Sequence, residues 1–408
     1  MEIIMLKNNL EEKLDEIYRV ITNEYHNNNQ VSTLTGLTGL SIFLSYYCRY
    51  KNINDEETVN TTIINNSIAK INEGYSYPSF CSGIAGLGWG LDHLEQEGFI
   101  NVECDDLLPN FDDYLYNAMI SDLSKNHYDY LHGAIGYAFY FFKRYKNTQS
   151  QKLKKKYTKI LFNFINALEK LSKPSSNNTL KWASFAKGNS ELVYNLSLSH
   201  GMSSIIGILT KLHYYDDFKE ATGVMLQRAI NYILKFKKIN SKNQSIFPNV
   251  VPAIGEVEYS SRMAWCYGDL GIGIRLWHAS KVLKNENLKD TSLKILKDSS
   301  KRRIPENTLV VDAGICHGSF GVAQIYNCMY RETKLQVFKE TSEFWIKDGL
   351  SKAVFKDGLA GYKQWKGNEY GGWVSEISIL EGVAGIGLVI LDYLTGKDNN
   401  WDECLMIS

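Results

Sequence analysis

The sequence predicts an all-α protein built as a double ring, seven inner helices surrounded by seven outer ones. Three observations lead there. A G-x-x-G step followed by an apolar run recurs along the chain. An amphipathic segment precedes each copy. The segment after each glycine pair is apolar on most of its sides. A helix with one apolar stripe lies at a surface, and a helix apolar all round belongs in an interior.

The glycine copies are TGLTGLSIFL (Gly36, Gly39), CSGIAGLGWGL (Gly83, Gly86), LHGAIGYAFYF (Gly133, Gly136), CYGDLGIGIRLW (Gly268, Gly271), CHGSFGVAQIY (Gly318, Gly321) and LEGVAGIGLVIL (Gly382, Gly385). A weaker copy, SHGMSSIIGIL, keeps Gly201 and has Ser204 in the second place. Amphipathic segments lie near residues 12–28, 62–72, 107–122, 217–237, 287–300 and 335–350. The clearest is KLKKKYTKILFNFINALEKL, in which Leu153, Tyr157, Ile160, Leu161, Phe164 and Leu168 fall three and four apart, the period of a helix with one buried face. Helix pairs of this kind cannot bury their faces alone. They stack on neighbours, and a closed ring removes the need for caps. An open α-solenoid, with the glycines serving only packing, is the alternative. Glycine at the start of an inner helix lets backbones approach closely. The turns would gather at one end of the ring, where a rigid scaffold can carry a site. Two polar stretches, 173–199 and 240–265, interrupt the pattern as loop insertions, and the second carries the pattern of a short β-hairpin. With no low-complexity linker and no second core, 1–408 reads as a single domain.

The chain has 408 residues, with 45 Lys plus Arg balancing 45 Asp plus Glu. A net charge near zero excludes the basic footprint of a duplex nucleic-acid binder. The N-terminus lacks the basic-then-apolar order of a signal peptide, and no apolar stretch is long enough to span a bilayer. The seven cysteines are scattered and show no CxxC spacing, which fits free thiols in a reducing, cytoplasmic compartment.

If the glycine turns converge, Cys266 of WCYG meets Cys316 and His317 of ICHG. Two thiolates and an imidazole suit zinc, and three protein ligands leave a fourth position open, the mark of a catalytic site. Zinc lowers the pKa of a thiol in that position. Any single cysteine here is more simply a small buried hydrophobe. The adjacency of Cys316 and His317, and the equivalent placement of Cys266 in another repeat, favour the metal.

The motifs SRMAWCYGDLGIG, ICHGSFG, SHG, YDYLHGAIG, CSGIAGLGW, LEGVAGIG and the closing WDECLMIS run from about residue 36 to the C-terminus. Together they resemble the lanthionine synthetase C-like proteins, the LanC cyclases. The resemblance implies an α/α toroid of seven inner and seven outer helices. It also implies a reaction. A dehydratase converts Ser and Thr of a precursor peptide to dehydroalanine and dehydrobutyrine, and the cyclase adds a Cys thiol of that peptide across the double bond. The thioether product is lanthionine or methyllanthionine. Such chemistry needs a thiolate, hence Zn2+, an acid for the enolate carbon and donors for the enolate oxygen. On the matching positions, Cys266, Cys316 and His317 are the zinc ligands and His200 a general acid. Asp129 helps handle the thiol proton, Arg262 stands beside the metal to hold neighbouring groups or the substrate carbonyl, and Tyr267 lies near the zinc.

Read without the resemblance, His200 bonds a helix terminus, Asp129 caps the following helix, Arg262 is a solvated charge and Tyr267 is packing. His132 is a neighbour of no assigned role, and His127 and His278 are surface or core. The implied partners are a dehydrated precursor peptide with its leader, a LanB-type dehydratase and an exporter-associated complex at the membrane. Some bacterial relatives insert a small SH2-like extension, for part of which 173–199 has room. Two other function classes compete. One is a LanC-like zinc protein that binds glutathione or adds it to dehydrated residues, a non-cyclase scaffold. The other is a two-carboxylate glycosidase, for which Asp129, Asp269 and Glu381 offer no pair; Asp269 and Glu381 read as charges favoured at helix N-termini.

Overall fold

The computed structural model describes residues 2–54, 59–176, 178–185, 191–238 and 244–408. In chain order its α-helices are α1 (Glu2–Glu24), α2 (Leu37–Lys51), α3 (Val59–Asn72), α4 (Ile84–Gln96), α5 (Cys104–Leu107), α6 (Pro109–Ser124), α7 (Ala134–Asn147) and α8 (Gln151–Leu171). They continue as α9 (Met202–His213), α10 (Asp216–Leu234), α11 (Asp269–Val282), α12 (Glu286–Ser299), α13 (Pro305–Thr308), α14 (Ser319–Thr333), α15 (Gln336–Ser351) and α16 (Val383–Thr395). Seven of them, α2, α4, α7, α9, α11, α14 and α16, start directly after the repeated glycines. These are the buried helices, as their all-round apolar character requires. In α7 every residue from Ala134 to Tyr145 is buried. In α8 only the stripe of Tyr157, Ile160, Leu161, Phe164, Ile165 and Leu168 is.

The chain forms two compact units, one of Met1–Val102, Val310–Met406 and Ser408, the other of Glu103–Leu309 and Ile407. In the first, α14, α16, α2 and α4 are successive neighbours, backed by α15 on α14, α1 on α16 and α3 on α2. In the second, α7, α9 and α11 are neighbours, backed by α8, α10 and α12, with α6 also on α7. The sequence pairs each amphipathic segment with the glycine helix after it. The structure instead packs α3, α8, α10, α12 and α15 on the glycine helix before them, and α1 chiefly on α16. The first outer helix also begins earlier than residue 12, because Leu6, Leu10, Leu14, Ile17 and Ile21 keep one buried stripe.

The insertions form small antiparallel sheets. Strands β1 (Lys173–Ser176) and β2 (Thr179–Lys181) pair with each other, and β3 (Ser184–Phe185), β4 (Leu192–Asn195) and β5 (Val250–Pro252) form a three-stranded sheet in that order. The hairpin expected within 240–265 does not form among the described residues. Its one short extended run, ended by Pro252, finds its partner in the other insertion, Tyr194 opposite Val251. Residues 186–190 and 239–243 of the two insertions lie outside the described residues. A further hairpin, β6 (Gln364–Trp365) with β7 (Trp373–Val374), escapes the sequence reading.

Five of the seven glycine turns share one backbone device. The first amides of a helix lack partners within it, and none of the seven helices has a side-chain cap. The chain folds back instead. The first helical amide donates to the carbonyl seven residues earlier in Leu37 to Gln30 (3.0 Å), Ile84 to Tyr77 (2.9 Å), Ala134 to His127 (3.1 Å), Ser319 to Asp312 (3.1 Å) and Val383 to Glu376 (3.1 Å). The returning backbone leaves no room for a Cβ, which at Gly83 would lie 2.1 Å from the Tyr77 carbonyl oxygen. Among the described residues no helix is long and apolar enough to cross a membrane.

The buried turn Trp401–Leu405 is anchored within the first unit by two carboxylates. Gln324 Nε2 donates to Asp392 (2.8 Å) and to Asp402 (2.7 Å), and the Arg331 guanidinium lies 3.2 Å from Asp392 and 3.6 Å from Asp402. Burial pushes Asp392 up to about 7, against the pull of Arg331 and helped by the charge of Asp402. A carboxyl raised above its unfolded value, about 3.9, binds its proton more tightly in the folded chain. Stability must therefore fall as the pH rises from about 4 to 7. Thermal unfolding measured from pH 5 to 8 should show Asp392→Asn losing less stability than the parent over that interval.

Candidate functional site

The residue just before each helix-capping glycine is Thr35, Ser82, His132, His200, Tyr267, His317 or Glu381, and each is at least partly exposed within a run of buried chain. The fold-back turn packs its other side chains and sends this one outward. One position earlier stand Leu34, Cys81, Leu131, Ser199, Cys266, Cys316 and Leu380, all buried except the half-buried Cys316. The predicted site residues Cys266, Tyr267, Cys316, His317 and His200 all occupy these two positions.

In the second unit, Asp129 and His200 form a close pair, with Asp129 Oδ2 2.5 Å from His200 Nδ1. The other carboxylate oxygen accepts the His132 amide at 2.8 Å. Burial alone would raise the Asp129 carboxyl, but His200 and the His132 amide outweigh it and hold it below the usual range. Asp129 is thus an ionised partner to a histidine as well as a turn anchor. The His132 ring stacks parallel to that of His200 with centroids 6.2 Å apart, and Tyr267 is tilted on the other contact at 6.0 Å. Burial raises the Tyr267 hydroxyl, which bonds Asn195 and Ser197, so it stays a protonated donor. The Cys266 carbonyl accepts the amides of Leu198 (3.0 Å) and Ser199 (3.2 Å), which ties its turn to that of His200. Arg262 is half-buried, and among the described residues its guanidinium makes no hydrogen bond.

Asp269, read from sequence as a helix-end charge, is wholly buried. It accepts the amides of Ile246 (3.0 Å) and Phe247 (2.9 Å) and pairs with Arg302 at 3.0 Å. Arg302 in turn donates to the Ser261 carbonyl at 2.8 Å. This network fixes the approach to Cys266, and Gly268 makes the sharp exit with φ 83 and ψ −158, a region open essentially to glycine.

In the first unit, His317 Nε2 lies 3.0 Å from Asp312 Oδ2 and 3.3 Å from the Trp365 carbonyl. Burial opposes the charge on Asp312, but His317 and the amides of Trp365 and Gly314 keep its carboxyl below the usual range. A carboxylate on Nε2 is the arrangement by which a metal-binding histidine is oriented. Asp312 is the residue the sequence reading missed. Its signal was present: Asp312 and Asn195 both stand six residues before a capping glycine, and both accept the amide two residues on, at 3.1 and 2.9 Å. Glu381 pairs with Lys366, which also reaches Glu376 at 3.4 Å.

Cys316 and the carboxylate-oriented His317 adjoin in the turn before α14, and Cys266 holds the equivalent place in the turn before α11. Two thiols and an oriented imidazole are a donor set that suits zinc. The family described as lanthionine synthetase C-like protein matches residues 27–406. The chain belongs to this family. Among individual relatives, the nisin biosynthesis protein NisC of Lactococcus lactis subsp. lactis is 24% identical over 395 residues, which are 88% of this chain and 92% of NisC. A solved structure of nisin cyclase matches with a TM-score of 0.73 at 20% identity, covering 98% of each chain. That likeness establishes the fold, the α/α toroid expected of a LanC-like protein.

A methyl group at Gly268 would lie 2.5 Å from the Arg262 carbonyl oxygen and would force an L-residue into a disallowed backbone region. Gly268→Ala should lose at least about 2 kcal/mol in urea unfolding, whereas Gly255→Ala, with nothing within 4 Å of the added Cβ, should lose less.

Proposed function

We propose that the chain is a zinc-dependent lanthipeptide cyclase. It adds Cys thiols of a dehydrated precursor peptide to dehydroalanine or dehydrobutyrine and so forms lanthionine and methyllanthionine rings. The observation that carries this reading is Cys316 beside a carboxylate-oriented His317, with Cys266 at the equivalent turn before α11, in a member of the LanC-like family.

Zinc held by Cys266, Cys316 and His317 would lower the pKa of a peptide thiol and keep it ionised at neutral pH. The remaining roles fall to the chain. Asp129 holds Nδ1–H of His200, which leaves Nε2 to take the proton the thiol loses, and the carboxylate steadies the resulting imidazolium. The sulfur bonds to the β-carbon of the dehydro residue while the double-bond pair shifts toward the carbonyl oxygen. The half-buried Arg262 and the protonated Tyr267 hydroxyl are the donors for that oxygen. His200 then returns its proton to the α-carbon. One S–H bond and one C=C π bond are lost, and one C–S bond and one C–H bond are made. The peptide arrives already dehydrated, so a LanB-type dehydratase is the supplying partner, in a cytoplasmic assembly with an exporter at the membrane.

Purified protein should carry about one equivalent of zinc, and Cys266→Ala, Cys316→Ala and His317→Ala should carry little. Removing the histidine's orienting carboxylate in Asp312→Ala should weaken zinc affinity about 10- to 100-fold, as competition with a chromophoric chelator would register. His200→Ala should keep zinc and fold but slow ring closure by about 100-fold or more. Closure leaves mass unchanged, so it is followed by counting alkylatable thiols on a dehydrated peptide. Normal closure by His200→Ala would overturn the role given to that histidine.

A further inference from the structure

The β6–β7 hairpin carries an aromatic surface that the reaction as described does not use. Trp365 and Trp373 are directly opposed across its two strands. Their rings lie 5.3 Å apart at 54°, and Phe355 continues the row at 4.9 Å from Trp373. The row is not covered: Trp373 is 38% exposed, and Trp365 and Phe355 are half-buried. Several nearby charges are paired, Lys366 with Glu376 and Glu381 and Lys363, which also lies over the Phe355 ring at 5.9 Å, with Asp357. What the row itself offers is flat aromatic area. Exposed clustered aromatics of this kind mark contact surfaces.

The position of the row decides what it contacts. The Trp365 amide donates to Asp312 Oδ2 at 3.1 Å, and the Trp365 carbonyl is 3.3 Å from His317 Nε2. The residue that bears the first ring is thus bonded, through both of its backbone groups, to the candidate metal ligand and to its orienting carboxylate. Each residue of an extended peptide advances about 3.3–3.6 Å. A residue one or two positions from a cysteine held beside His317 is therefore within reach of the hairpin whose Trp365 carbonyl contacts that histidine.

We propose that the Trp365–Trp373–Phe355 row is the docking surface for an apolar side chain flanking the reacting cysteine of the substrate peptide, and that it sets which cysteines the enzyme selects. This rests on the cyclase reading above. The contact lies outside the reacting atoms, so it contributes equally to ground and transition states and is expressed in KM.

The test uses the zinc-loaded full chain and two short fluorescein-labelled peptides, each with a single cysteine and no dehydro residue. In one the cysteine lies between Leu and Phe, in the other between two serines. Anisotropy titrations should show the parent preferring the apolar-flanked peptide about tenfold, and Trp373→Ser abolishing that preference with zinc content and melting temperature unchanged. Phe355→Ser should act in the same direction. With dehydrated peptides, Trp373→Ser should raise KM for apolar-flanked cysteines and leave kcat unaltered. An undiminished preference in both variants overturns the proposal. So does a fall in affinity equal for both peptides, or a dimer of the parent that Trp373→Ser dissociates, which would make a second copy the occupant. Preferential binding by a parent that closes no ring would retain this docking surface while refuting the cyclase reading.

Discussion

The capping of the inner helices by their own returning backbone is the constraint on which the rest of this structure depends. The first helical amides are satisfied by carbonyls seven residues back, so no Ser, Thr, Asp or Asn is needed as a cap. The side chain before each glycine is then not needed as a cap and stays at least partly exposed. One geometry, repeated at five of the seven, turns the start of an inner helix into a mounting point. The same geometry aims the positive end of each helix at those side chains, which favours thiolates, carboxylates and a developing oxyanion there. Glycine is the side condition: a Cβ at Gly321 would fall 1.8 Å from the Ile315 carbonyl oxygen.

The two histidines of the site are set by the same physical means and to opposite effect. Each meets a carboxylate held below its usual pKa range by hydrogen bonds that outweigh burial. Asp129 takes Nδ1 of His200, and Asp312 takes Nε2 of His317. The two carboxylates thus engage opposite nitrogens of the two rings. In the proposed cyclase this difference is what separates a histidine that moves a proton from one that holds a metal beside Cys316.

Much of this was legible in the sequence because it is local. The spacing of Tyr157, Ile160, Leu161, Phe164 and Leu168 defines an outer helix, and the glycine pairs define the inner ones, since each signal lies within one or two turns of chain. Cys316 and His317 announce themselves by adjacency. What stayed hidden depends on distant partners. Asp269 looked like a charge at a helix end, but its meaning lies in the Ile246 and Phe247 amides and in Arg302. Strand β5 could not be paired from sequence because its partner is 55 residues earlier in register, Val250 opposite Asn195. Asp312 was masked by its position outside the motif it supports, although its kinship with Asn195 was available to a reader counting back from the glycines.

The docking of α1 on α16 bears on how the chain is made. Helix α1, which ends at Glu24, has as its main partner α16, which starts only at Val383. Loop closure over that distance adds little free energy, since each doubling of length costs about 0.6 kcal/mol, but it is slow and must wait for synthesis to reach α16. Until then the stripe of Leu10, Leu14, Ile17 and Ile21, fully buried in the finished fold, stands uncovered in the growing chain. An apolar stripe that waits this long for its partner is exposed to association with other chains until α16 is made.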